Sequence, residues 1–86
     1  MMNEEFTLVE NGITFIFRRM YHPEVELAYH VHVTNLSQRI IFRMKRNARG
    51  NWKILHQDLP ESVWRAEARL AEAIASNEQA PGKHPS

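Results

Sequence analysis

Two alternating apolar runs, residues 25–33 and 39–44, are separated only by Thr34-Asn35-Leu36-Ser37-Gln38. Successive side chains of an extended chain point to opposite faces, so each run divides into an apolar set and a mixed set, which is the signature of two paired strands. With Leu36 and Ser37 as a two-residue turn, Val33 stands opposite Ile40, Val31 opposite Phe42 and Tyr29 opposite Met44. The large apolar side chains other than Ile41 then share one face. The other face carries Ala28, His30, His32, Ile41, Arg43 and Lys45, a composition suited to solvent or to a partner.

The flanking segments extend the same pattern. Phe6-Thr7-Leu8-Val9-Glu10 and Ile13-Thr14-Phe15-Ile16-Phe17-Arg18 bracket Asn11-Gly12, a pair that tolerates the positive φ angles of a type I′ turn. Leu8 then faces Phe15 and Phe6 faces Phe17, with Thr7, Val9, Thr14 and Ile16 behind them. Pro23 has no N–H to donate and breaks the alternation, so a third strand is expected to start near Val25. After the central hairpin, residues 46–51 read as a basic turn and Trp52-Lys53-Ile54-Leu55 as a fifth strand. Pairing Met44 with Trp52 sets Ile54 opposite Phe42 and Lys53 beside Arg43.

Asp58-Leu59-Pro60-Glu61 has the layout of a helix start, with Asp58 as N-cap, and a helix is expected over residues 60–76. Val63, Ala66, Leu70, Ala73 and Ile74 form its apolar stripe, and Glu61 and Arg65 are spaced for an i, i+4 ion pair. The predicted fold is α+β: an antiparallel meander of four to five strands with one C-terminal helix on one face. Residues 5–77 form the single domain, and residues 78–86 are expected to be a disordered tail.

Charge is unevenly spread. The net charge is only +1, yet no acid lies between Glu26 and Asp58, while Arg39, Arg43, Lys45, Arg46, Arg49 and Lys53 all fall there. The sequence has no cysteine, so disulfides and thiolate metal sites are excluded. No apolar run approaches the ~18 residues of a membrane span, and Met1 to Glu5 lacks the layout of a signal peptide. No membrane association and a cytoplasmic location are therefore expected.

His30 and His32 project from one strand face and have the spacing of two metal ligands, but a third is missing and Arg43 faces His30, which opposes a cation. Neither metal nor cofactor is expected. Gly12, Gly50 and Gly82 are isolated, so no phosphate-binding loop exists, and paired carboxylates are absent from the sheet faces. These absences predict a protein that is not an enzyme. His30, His32, Arg39, Arg43, Lys45, Arg46, Arg49 and Lys53 are the expected surface for nucleic acid or another partner.

The meander followed by Leu59-Pro60-Glu61-Ser62-Val63-Trp64, with Leu70 and Ile74 further along, resembles the positive-coactivator and Pur-alpha-type single-stranded-DNA-binding folds. That resemblance implies single-stranded-DNA binding and carries no residue role with it. A second expectation comes from area. Five strands about 4.8 Å apart span about 19 Å, against about 10 Å for a helix, so half the apolar face is left to a second copy docking beside Trp64, Glu67 and Ala71, unless a strongly coiled sheet wraps the helix and closes the core alone. The leading expectation is a non-catalytic, homodimeric protein-interaction domain; single-stranded DNA or RNA binding through the basic face is the alternative.

Overall fold

The computed structural model describes residues 3–21, 27–34, 39–56 and 58–79. Alternation makes the sheet. β1 (Glu5–Glu10), β2 (Ile13–Met20), β3 (Ala28–Val33), β4 (Ile40–Arg46) and β5 (Trp52–Leu55) pair antiparallel in chain order, followed by α1 (Glu61–Arg65) and α2 (Glu67–Glu78). Asn11 (φ 54°) and Gly12 (φ 77°) take the left-handed region, as a type I′ turn requires, and set Leu8 against Phe15 and Phe6 against Phe17. In the central hairpin Val33 meets Ile40, Val31 meets Phe42 and Tyr29 meets Met44. Val25 and Glu26, the Leu36-Ser37 turn and residues 80–86 lie outside the described residues; β3 itself begins at Ala28.

The β4–β5 register departs from expectation by two residues. Trp52 pairs with Arg46, Lys53 with Lys45, Ile54 with Met44 and Leu55 with Arg43. The cause is a side chain in the turn. Asn47 Oδ1 accepts hydrogen bonds from the N–H groups of Arg49 (2.9 Å) and Asn51 (3.0 Å), while Gly50 at φ 86° donates to the Asn47 carbonyl at 2.9 Å. Asn47 and Asn51 thereby close a three-residue loop, and a wider loop starting at Met44 is excluded.

The helical region also differs. Asp58 does not cap it: Pro60 occupies the N-cap position without a side-chain hydrogen bond, and the Asp58 N–H donates to His56 Nδ1 at 3.2 Å. Proline suits a helix start because its missing N–H has no intrahelical partner there. Ala66 separates α1 from α2, and α2 runs to Glu78, two residues past the expected end. Glu61 and Arg65 form the anticipated pair at 3.5 Å, both well exposed.

Val63, Ala66, Leu70 and Ile74 seal a core whose sheet side is Ile13, Phe15, Phe17, Tyr29, Val31, Val33, Phe42, Met44, Trp52 and Ile54. Phe6 stacks on Phe17 with ring centroids 4.5 Å apart, and Tyr29 meets Trp52 edge-on at 5.3 Å. The helix covers this face by crossing it. At its start Glu67 accepts a hydrogen bond from the Ile54 N–H of edge strand β5 (3.0 Å); at its far end Asn77 and Glu78 reach the chain before β1, β2 and β3. A diagonal helix reaches both edges, so among the described residues of the sheet's apolar face Phe6, Leu8, Leu27 and Ile40 are partly buried at the margin and the rest are buried.

A buried polar cluster fixes that far end. The Tyr29 hydroxyl donates to Glu78 Oε2 and accepts from Asn77 Nδ2 (2.9 Å); Asn77 also exchanges two bonds with the backbone of Asn3 (2.9 and 3.0 Å). Arg19 Nε donates to Glu78 Oε2 at 2.8 Å. Burial, then the hydrogen bond to Glu78, pushes the Tyr29 phenol well above its ordinary value, so it remains a neutral donor. Tyr29→Phe leaves buried acceptors and donors unmatched and should cost about 1–3 kcal/mol. Phe42→Ala, which opens a cavity under the helix, should cost more, about 3–5 kcal/mol. Urea unfolding of both variants checks the order; a Phe42→Ala loss under about 1 kcal/mol would contradict its central burial.

Candidate functional site: the open face of the sheet

The face away from the helix is organised in rungs that run across the strands. One rung is Glu5, Arg18, His30, Arg43 and Leu55; the next is Met20, Ala28, Lys45 and Lys53; on the other side lie Thr7, Ile16, His32 and Ile41. Cations thus occupy two adjacent rungs. Apolar side chains lie among them, with Ile41 46% and Leu55 51% exposed. Tyr21, 65% exposed just beyond β2, is the one exposed aromatic among the described residues.

The two sides of the molecule use their cations differently. Arg19, Arg65 and Arg69 are engaged by Glu78, Glu61, Glu72 and Glu10 at 2.6–3.5 Å. Arg18, Arg39, Arg43 and Lys53 have no carboxylate partner among the described residues. Among the described residues, Arg18, Arg39, Arg43 and Lys53 of the open face therefore carry positive charge with no ion pair, Glu5 stands across from Arg18 in the same rung, and the acids of α1 and α2 lie on the opposite side.

His30 reports that charge. Its imidazole is held below the ordinary histidine range, first by burial and then by the fields of Arg43, His32 and Arg18. It is therefore a neutral ring at pH 7, able to donate one hydrogen bond and accept another.

At one end of the face is a cavity of about 460 Å³ lined by Glu5, Ile16, Arg18, His32, Thr34 and Arg39, with Val33 contributing at its edge. Arg18 belongs to β2 and Arg39 immediately precedes β4, so the cavity is lined by one arginine from a strand and one from the segment before another.

His30, His32, Arg43, Lys45 and Lys53 share the open face, and Arg39 joins them at the cavity. Arg46 does not: it follows Phe42 and Met44 in phase, and its guanidinium lies over Trp52, 5.8 Å from the ring centroid, on the helix side. Arg49 is exposed in the turn. Trp64 and Ala71 are half-buried against the core, and Glu67 is bonded to Ile54. Glu67 and Ala71 border a groove of about 390 Å³ that also includes Trp52, Ala68 and Ala75.

Arg18 is the site residue that sequence reasoning missed. Its phase with Thr14 and Ile16 was available, but its neighbours His30 and Arg43 depend on the β2–β3 register, which no short turn defines. Among the described residues no group of His, Asp and Glu could hold a metal ion, and no helix is long and apolar enough to cross a membrane. Compared with known protein families, with curated proteins and with solved structures, the chain matches none.

The histidine gives a direct test. With His30 held below its ordinary value of 6.5, the unfolded chain takes up the proton more readily, so this residue's effect is to lower stability as pH falls through 6.5 toward the folded value. NMR titration of its Cε1 proton should give a midpoint below 6.5, and Arg43→Gln should raise that midpoint only in part, because burial is the larger cause.

Proposed function

We propose that the protein is a non-catalytic binding domain whose open sheet face takes an anionic extended polymer, a single-stranded nucleic acid. The observation that carries this reading is the set Arg18, Arg39, Arg43 and Lys53, which have no ion pair among the described residues and lie on or beside a sheet face without a helix. Successive phosphates of a strand can be met by such a set, and release of their counterions drives binding. His30 and His32, both half-buried, and Ile16 and Ile41 offer flat or apolar contact to bases in place of the aromatic side chains that other binders use. The layout resemblance to single-stranded-DNA-binding folds agrees with this reading without supplying any residue role.

Fluorescence anisotropy with a labelled oligonucleotide tests it. Four phosphate contacts give a log–log salt slope of about −3, and Arg43→Glu with Lys53→Glu should weaken binding at least tenfold and roughly halve that slope. Binding that is absent at low salt, or that ignores salt, overturns the reading.

A second reading, self-association, is favoured by the groove beside Glu67 and Ala71, where Ala68 and Ala75 present small side chains next to edge strand β5. A two-fold contact there would place Trp64 at its margin. Sedimentation at tens of micromolar distinguishes a 10.1 kDa species from twice that mass, and Trp64→Arg should dissociate a dimer built on this flank.

A further inference from the structure

We propose that the cavity between Arg18 and Arg39 is a subsite for one nucleoside monophosphate unit, with the phosphate held by the two guanidinium groups and the base lying against Ile16 and His32. The inference rests on the open-face reading for its biological setting, but the cavity is a separate object and can be tested with a mononucleotide alone.

Three features of the lining select this ligand class. The first is charge. Arg18 and Arg39 have no carboxylate partner among the described residues, and with Glu5 counted the wall remains net positive. The net charge of the wall therefore favours a net anion. Guanidinium groups are also the side chains best shaped to hold phosphate oxygens in pairs, and the Thr34 hydroxyl adds a further donor.

The second feature is Glu5. A carboxylate in the wall repels a bare inorganic anion but accepts hydrogen bonds, so it suits a ligand that combines an anionic group with N–H or O–H donors, as the sugar hydroxyls and exocyclic amines of a nucleotide do. The third is size and floor. A volume of about 460 Å³ lies within the usual range for small-molecule sites and is far more than a phosphate needs. Ile16 and His32, neighbours in one rung and both half-buried, supply an apolar and a planar surface for the base. The site adjoins the rung of Arg18, His30 and Arg43, so a strand leaving it continues onto the cationic rows.

Titration of 15N-labelled protein with adenosine 5′-monophosphate, adenosine or inorganic phosphate tests the inference. The monophosphate should give saturable shifts at Ile16, His32 and Thr34 and bind at least about tenfold tighter than either fragment, a difference of about 1.4 kcal/mol. Arg39→Ala, at an exposed position outside the strands, should erase that advantage; Arg39→Lys should restore part of it, and Arg46→Ala, on the opposite side of the sheet, should leave it unchanged. Glu5→Gln should strengthen inorganic phosphate and so narrow the preference.

Equal affinity for monophosphate and phosphate, or shifts centred elsewhere, overturns the subsite. The oligonucleotide separates the two proposals. Strand binding lost in the Arg43→Glu, Lys53→Glu variant but indifferent to Arg39→Ala overturns the subsite alone. Monophosphate binding with the expected preference, in a protein that binds no oligonucleotide, upholds the subsite and overturns the polymer reading.

Discussion

The arrangement of this domain depends on how one phenol is satisfied. Tyr29 lies wholly inside, on the central strand of the sheet, and a buried hydroxyl without partners is costly. Its partners, Asn77 and Glu78, are at the last turn of α2, so satisfying the phenol requires the helix to cross the sheet and finish over β2 and β3. Once there, Glu78 neutralises Arg19 and Asn77 holds the backbone of Asn3. A polar requirement in mid-sheet thus sets the direction in which an apolar helix lies.

That direction creates the division of labour between the faces. Because α2 spans the sheet from β5 to the start of β1, one helix suffices to close the core, and its acids are drawn to the same side as Arg19 and Arg69. Among the described residues of the strands, the opposite face carries Arg18, Arg43, Lys45 and Lys53 against the single carboxylate of Glu5. Its histidine, depressed by burial and by neighbouring arginines, is a local record of that imbalance.

Much of this was legible in the chain. Asn11-Gly12 admits little except a tight turn, and the alternation through Tyr29, Val31 and Val33 and through Ile40, Phe42 and Met44 gathers the large side chains on one face, the short segment between the runs choosing the pairing. Periodicity is blind to steps of two, however. Pairing Trp52 with Met44 or with Arg46 places the same side chains on the same faces, and the choice is made by Asn47, whose side chain closes the turn. The helix start was misread because an acid before Pro60 looks like a cap, whereas the proline itself takes that place. Among the site residues, Arg39, Arg43 and Lys53 follow from alternation alone. Arg18 needs the β2–β3 register, and the displacement of Arg46 to the helix side needs the shortened turn.

The hydrogen bond from Ile54 to Glu67 has a further meaning for the sheet as a template. An edge strand normally offers its free N–H groups to any passing strand, and this is how sheets fuse into aggregates. On β5 the Ile54 donor is already occupied by a side chain from the helix, and the strand has only four residues. Accretion of further strands is thereby discouraged at that border, whereas β1, six residues long, forms the opposite border with exposed Thr7 and Val9. The sheet is polar in its capacity to grow, and any strand that extends it should enter beside β1.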